Sequence, residues 1–249
     1  MHNRISLLLL SLTISLTCLS QEEKTPSKES QAYHKERERL TMPPYGLAKI
    51  NSLTAKLKPV ELDGDETVTA LSPKVYGSLS LREKFTYNMT NAESHHQNCD
   101  ITPTLLDEQK KIFAHLPSPF GEESWSEKQD KFFEDNKDSV VAIMTESIDR
   151  SHRVGLNYKW VIVDINAKEM IPLLISTYNL DRKDHDILTV LLLLMEKNKY
   201  PAFMSSASYQ KLYGVLKEDY DRYYTAHLDL NKANEDLIIQ RATDFYNGK

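Results

Sequence analysis

The stretch Ile187-Leu188-Thr189-Val190-Leu191-Leu192-Leu193-Leu194-Met195-Glu196-Lys197 decides the fold of this chain. It is rich in strong helix formers, and it is apolar on nearly every side. A helix of that kind lies in the core and not on the surface, so we expect it to be the most buried element. Asp184 or Asp186 is expected to cap its first turn. Its apolar part, Ile187 to Met195, holds only about nine residues, whereas a membrane span needs roughly 20.

Glycine is scarce in the rest of the chain, with seven residues in 249. An average protein has about 7% glycine, and tight hairpins and phosphate-binding loops consume it. The scarcity predicts an all-α, or mostly α, single domain of packed helical hairpins. One exception is expected near 55–75, where Val and Thr residues allow a small β-hairpin around Asp63-Gly64.

Further helices follow from capping residues and from apolar positions at helical spacing. Thr102 is expected to cap a helix over 103–116. Ser124 or Ser126 begins another, which continues to Ile148 with a break at Asn136.

The second half of the chain contains more helical segments. Residues 158–165 fit a short strand or a helix, and helix is the favoured interpretation. The remaining predictions are a capping box at Asn166-Ala167-Lys168-Glu169 with its helix Met170 to Tyr178, and helices at about 207–227 and 232–246.

The helix Met170 to Tyr178, the polar loop after it and the apolar run at Ile187 together resemble a HEAT-type helical hairpin. The resemblance covers about 30 residues. Its loop departs from the HEAT spacing by about two residues, and no second clear copy is present. It therefore implies a style of helix packing.

The first 20 residues look like a signal peptide. Arg4 provides the positive charge, Ile5 to Leu16 form a short apolar segment, and Cys18-Leu19-Ser20 place small residues before a cut at Gln21. Two alternatives remain open. Cys18 is a candidate lipidation site, although Thr17 before it matches a bacterial lipobox poorly, and the segment could also be retained.

Residues 21–41 are nearly all polar and are expected to form a disordered tether. The folded α-helical domain is then expected over 42–249. Removing residues 1–20, which contain one Arg and no acidic residue, takes the formal net charge from −5 to −6. A chain that is acidic and has no basic block is a poor partner for nucleic acid or for an anionic membrane surface.

Cysteine use also bears on the compartment. Only Cys99 remains after a cut at Gln21, so no disulfide within the chain is expected. A large exported domain without disulfides fits the periplasm or cell surface of a bacterium, either soluble or anchored through Cys18. No transmembrane helix is expected in the mature chain.

Two groups of residues could carry chemistry. His95-His96-Gln97-Asn98-Cys99 concentrates metal-ligand types, but zinc needs three or four ligands and at most two come from here. The favoured interpretation is a structural one, a polar helix end that runs into a loop. Cys99 is expected to be inert.

The pair His185-Asp186 superficially resembles the metal site of HD-type phosphohydrolases. That family implies a further upstream His, a role open to His152, and a downstream Asp such as Asp219 or Asp221. Here the pair follows a charged loop at the start of a helix, where acidic residues are explained by capping.

Tyrosine is concentrated after Lys199. Rings at helical spacing form a tyrosine stripe, a candidate surface for a protein or a carbohydrate, because tyrosine suits half-wet interfaces. The stripe consists of Tyr209, Tyr213, Tyr220, Tyr223 and Tyr224. The competing and favoured interpretation is that these rings lie on the core with their hydroxyl groups at its rim.

The common enzyme signatures, such as Gly-x-Ser-x-Gly and His-Glu-x-x-His, are absent from the sequence. The leading prediction is therefore an exported cell-envelope binding or interaction protein with an inhibitor, immunity-type or accessory role. It is expected to need no cofactor or metal, and its partner is expected to be another protein, with carbohydrate as an alternative. The enzyme alternative is a metal-dependent hydrolase of HD type that uses His185 and Asp186 with His152.

Overall fold

The computed structural model describes residues 25–62, 66–96, 104–214 and 225–249. The chain is 60% helical with a few short strands, which confirms a mostly-α single domain. No helix in these ranges is long and apolar enough to cross a membrane.

The central helix is α9, Asp186–Lys197. Its apolar side chains from Ile187 to Met195 are buried, apart from Leu193, as the sequence predicted. It packs most extensively against α7 (Leu156–Asp164) and the C-terminal helix α12 (Lys232–Tyr246). The predicted hairpin partner α8, Ile171–Asp181, also contacts it. The hairpin is therefore one part of a layered core.

The described residues form twelve α-helices and six short strands. Helices are α1 Lys28–Arg37, α2 Leu47–Thr54, α3 Pro73–Gly77, α4 Leu81–Thr90, α5 Glu127–Asp135, α6 Lys137–Ser151, α7 Leu156–Asp164, α8 Ile171–Asp181, α9 Asp186–Lys197, α10 Pro201–Met204, α11 Ala207–Tyr213 and α12 Lys232–Tyr246. Strands are β1 Val60–Glu61, β2 Glu66–Val68, β3 Ser94–His96, β4 Lys111–Phe113, β5 Glu123–Ser124 and β6 His227–Asp229. Short 3-10 turns precede β4 and α8 at Glu108–Lys110 and Lys168–Met170.

The strands form two small antiparallel sheets. One has the order β1-β2-β3-β5, and the other pairs β4 with β6. Val60 opposite Val68 and Glu61 opposite Thr67 make the hairpin predicted near 55–75. Its turn, residues 63–65, lies outside the described residues.

The helix predicted over 103–116 is wrong in its described part. Residues 111–113 form strand β4, where Ile112 lies opposite Leu228 and Phe113 opposite His227. Ile112 and Phe113 are both buried, and the ladder to β6 satisfies their backbone groups. The partner strand lies more than 100 residues away in sequence, so helical spacing alone could not reveal it.

The disordered tether predicted over 21–41 is wrong for the segment Lys28–Arg37, which forms helix α1. Arg37 is 7% exposed and lies between the carboxylates of Asp186 and Glu108. The chain then docks beside α7, where the backbone N–H and carbonyl of Thr41 bond to the side chain of Asn157. Polar composition was misleading here because the charged side chains find buried partners elsewhere in the fold.

Two predicted caps are also wrong. Neither Asp184 nor Asp186 caps α9, because Asp184 pairs with Lys159 and Asp186 pairs with Arg37. Asn166 does not begin a capping box. It has a left-handed φ of 50°, and its side-chain amide pairs with Asn198.

Other local predictions hold. Residues 156–164 are helical, which supports the favoured interpretation of 158–165. Helix α5 begins after Ser126, whose backbone N–H donates to the side chain of Gln129. The chain breaks at Asn136 before α6, as predicted, and α12 matches the helix expected at 232–246.

Candidate ligand-binding pocket

A pocket of about 350 Å³ opens between α5, α7 and the segment that runs from Leu116 to Trp125. Pockets of this size can hold a small ligand or a protruding side chain. We call it the tryptophan pocket. Its wall is formed by Leu116, Ser118, Pro119, Phe120, Glu123, Ser124, Trp125, Asp130, Trp160 and Asp164.

Helix α7 supplies one side of the tryptophan pocket. Trp160 and Asp164 are four positions apart, so they share one face of this helix. The indole Nε1–H of Trp160 donates to the backbone carbonyl of Pro117 at 2.7 Å. That bond ties α7 to the segment on the other side and fixes the orientation of the ring.

Trp125 forms the opposite side. Its indole Nε1–H donates to the backbone carbonyl of Asn88 at 2.6 Å. Phe120 and Phe133 contact the Trp125 ring edge to face, with centroid distances of 5.4 and 5.3 Å. Such aromatic contacts add stability beyond the buried area. A hydrogen bond to a backbone carbonyl therefore fixes each tryptophan ring in position.

A buried polar network supports Trp125. The side-chain amide of Gln129 donates to the Asn88 side chain at 3.3 Å and to the Asn91 carbonyl at 2.8 Å. Its oxygen accepts from the backbone N–H of Glu93 at 3.0 Å and of Ser126 at 3.1 Å. Gln129 thus uses both ends of its amide, as a buried polar group must.

Glu93 is the charged member of that network and is 2% exposed. Its carboxylate accepts from the hydroxyl groups of Tyr87 at 2.7 Å and Ser126 at 2.6 Å. The ammonium of Lys128 lies 2.6 Å from the same carboxylate. A buried carboxylate with three donors is stable where a lone one would not be.

Three carboxylates belong to the pocket wall, from Glu123, Asp130 and Asp164. Asp164 is exposed by surface area, yet protein surrounds its carboxylate closely enough that burial raises its pKa to about 6. That value includes the effect of Lys197, which lowers the pKa of Asp164, and the effects of the negative charges of Asp130 and Glu134, which raise it. Burial, together with its acidic neighbours, also raises the pKa of Asp130.

The wall contains no lysine, arginine or histidine side chain. In the described part of the chain, Glu123, Asp130 and Asp164 form no ion pair. Lys197 is close to Asp164, but its ammonium donates to the backbone carbonyl of that residue at 3.0 Å. The pocket therefore offers a ligand aromatic surface and unpaired negative charge.

The tyrosine stripe is described only in part, since Tyr220, Tyr223 and Tyr224 lie outside the described residues. Tyr209 and Tyr213 are half-buried and pack against the core. The Tyr213 hydroxyl donates to the backbone carbonyl of Ala114 at 2.9 Å. Neither ring belongs to the wall of the tryptophan pocket. A role of the stripe in binding stays a prediction.

The described residues of the predicted metal sites are not brought together. Asp186 is engaged by Arg37, and His152 ends α6 with a left-handed φ of 53°. His95 lies on β3 with Glu122 4.0 Å away, whereas Cys99 and Cys18 fall outside the described residues. Within the described ranges, no three His, Cys, Asp or Glu side chains come close enough together to hold a metal ion.

Sequence reasoning missed the tryptophan pocket. The chain has two tryptophans in all, and both belong to its wall. The four-residue spacing of Trp160 and Asp164, which places both on one face of a helix, is the local signal that the sequence offers for it. Trp125 lies 35 positions earlier, so its place in the wall depends on tertiary packing. Comparison of the chain with protein-family profiles, with curated proteins and with solved structures finds no match.

Proposed function

We propose that this chain is an exported binding protein of the bacterial cell envelope, and that it binds through the tryptophan pocket. One observation carries the proposal: both tryptophans of the chain line a single pocket, and each indole N–H is anchored to a backbone carbonyl. Rigid aromatic anchors in the wall of a pocket are typical of binding sites.

The anchoring supports binding in a second way. Trp160 is fixed through Pro117, and Trp125 is fixed through Asn88 and the Gln129 network behind it. A wall that is already ordered loses little conformational freedom when a ligand enters. The inhibitor, immunity-type or accessory roles all fit such a preformed pocket, with a protein partner or a carbohydrate as the occupant.

The test uses the two tryptophans as reporters. Intrinsic fluorescence of the full chain is followed while choline, cellobiose and Nα-acetyl-lysine methylamide are added one at a time. We expect at least one compound to shift or quench the emission with saturation. Trp160→Leu should abolish the saturable signal, whereas Tyr246→Leu, a change at an exposed aromatic outside the pocket wall, should not. If none of the three compounds produces a saturable change, binding through this pocket is disproved.

Export is the second half of the proposal and rests on residues 1–20. The expected mature N-terminus is Gln21, or a lipid-modified Cys18 that anchors the chain. Mass spectrometry of the protein from a bacterial envelope fraction distinguishes these two ends. Recovery of intact chain beginning at Met1 from the cytoplasm would contradict export. It would not affect the proposal that the chain binds through the tryptophan pocket.

A further inference from the structure

The charged side chains of the tryptophan pocket are all of one sign. Its charged members, Glu123, Asp130 and Asp164, can only accept hydrogen bonds when ionised. Both indole N–H groups are used on backbone carbonyls, and the Ser118 hydroxyl donates to the carbonyl of Gly121 at 3.0 Å. The wall therefore presents an excess of negative charge, which suits a positively charged ligand.

The aromatic groups lead to the same chemistry. Because the indole N–H groups donate to backbone carbonyls, the two tryptophans contribute aromatic ring surface to the wall. The π face of an aromatic ring attracts a cation, and tryptophan does so most strongly. Rings combined with unpaired carboxylates are the elements from which proteins build sites for organic ammonium ions.

The surrounding charges favour the same ligand. On α5, Asp130 and Glu134 act on Asp164 of α7 as like charges. Glu123 of β5 adds a third carboxylate to the wall. Lys197 of α9 lowers the pKa of Asp164 without forming an ion pair with its carboxylate. A bound cation would relieve this repulsion, whereas a neutral or anionic ligand would not.

We infer that the ligand of the tryptophan pocket carries an organic ammonium ion, which the tryptophan rings and the carboxylates of Asp130 and Asp164 receive together. The inference rests on the proposed binding function and names its ligand class. The ammonium can belong to a free small molecule or to a methylated or unmodified lysine side chain of a partner. Both sources present the same chemistry to the wall.

The decisive experiment compares two molecules of nearly the same shape. Tryptophan fluorescence of the full chain is titrated with choline and with its uncharged isostere 3,3-dimethyl-1-butanol at pH 7.5. Choline should bind at least about tenfold more tightly, because only choline carries the charge. Equal binding of the two compounds would overturn the inference and leave a pocket that recognises apolar shape.

Matched variants test whether the affinity for choline depends on the carboxylates of Asp130 and Asp164. Asp164→Asn and Asp130→Asn should each weaken choline binding by about five- to tenfold and leave the isostere unchanged. Asp149→Asn, an exposed change on α6 outside the wall, is the control and should bind choline as the unaltered chain does. Unchanged choline affinity in both pocket variants would overturn the inference.

The pH dependence gives an independent readout. Since a cation favours ionised Asp164, choline affinity should fall as the pH drops through about 6, where that carboxyl takes up its proton. The slope should become shallower in Asp164→Asn. An affinity that does not change between pH 7.5 and 5 would contradict the inference.

Two further outcomes distinguish a partner's lysine from a free ammonium compound, and the ammonium inference from the proposed binding function. A peptide with one trimethyllysine that binds more tightly than choline assigns the ammonium to a partner side chain, and the reverse order assigns it to a free molecule. Saturable binding of cellobiose without choline or lysine binding refutes the ammonium inference and retains the proposed function.

Discussion

Arg37 and Asp186 are 149 positions apart in the chain, and the Nε of Arg37 lies 3.0 Å from Oδ2 of Asp186. The guanidinium also lies 3.5 Å from the carboxylate of Glu108 and stacks 4.0 Å from the Phe113 ring centroid. This contact joins helix α1 to the first turn of the central helix α9. It is the reason that a polar N-terminal segment belongs to the folded domain.

Loss of the Arg37 side chain should destabilise the whole domain. Arg37→Ala leaves the buried carboxylate of Asp186 without its cation and removes one contact of Glu108, so we expect the free energy of unfolding to fall by about 3–5 kcal/mol. Arg39→Ala is the control, because that side chain is 62% exposed and its surface ion pair contributes at most about 1 kcal/mol. Urea unfolding followed by circular dichroism measures both. Equal effects of the two changes would show that α1 is only loosely attached.

The hydrogen bonds of Gln129, which support Trp125, should contribute to the stability of the fold. Gln129→Met keeps the size of the side chain but removes the hydrogen bonds that Gln129 makes to the buried backbone N–H of Glu93 and to the side-chain oxygen of Asn88. We expect a loss of about 1–3 kcal/mol in the free energy of unfolding and a more mobile Trp125 ring. Urea unfolding and fluorescence anisotropy of a Trp160→Phe background measure the two effects. Lys131→Met, on the exposed side of the same helix, should change neither appreciably.

Asp164 should show opposite effects on stability and on binding. Its pKa is raised in the folded chain, so the ionised form costs folding free energy above about pH 6, and the cost disappears as the pH falls. Asp164→Asn should therefore stabilise the protein at pH 7.5 by less than about 1 kcal/mol, given the exposure of the side chain. The same change should weaken ammonium binding, a trade-off that is common at binding sites. Thermal unfolding at pH 7.5 and pH 5 tests the sign, and a destabilised variant at pH 7.5 would contradict it.

His115 should make the fold sensitive to acid. Burial lowers its pKa to about 4, so the folded chain holds the ring neutral while the unfolded chain protonates it below about pH 6.5. The stability contributed by neutral His115 is present above pH 6.5 and is lost as the pH falls towards 4, by an amount of order 2 kcal/mol. His185 adds to the same trend, because burial lowers its pKa as well.

The measurement is the urea midpoint between pH 7.5 and pH 4.5. In His115→Gln, which cannot titrate, the midpoint should fall less steeply than in the unaltered chain. His152→Gln, at the end of α6, is the control and should leave the slope unchanged. Parallel curves for His115→Gln and the unaltered chain would assign the acid sensitivity to other groups.

Local sequence determined the elements whose signals are contained within a few residues. The run from Ile187 to Met195 had to be a buried helix because it is apolar on every side. The break at Asn136, the start of α5 after Ser126 and the hairpin at Val60 and Val68 follow from capping, composition and turn residues in the same way.

Tertiary structure decided everything that depends on a distant partner. Strand β4 exists because β6 lies beside it, and α1 is docked because Asp186 and Glu108 need a cation. The tryptophan pocket forms only where α5 and α7 bring Trp125 and Trp160 together. Hydrogen bonds and ion pairs are strong only between groups removed from water, and which groups meet there is set by the packing of the whole chain and not by neighbouring residues.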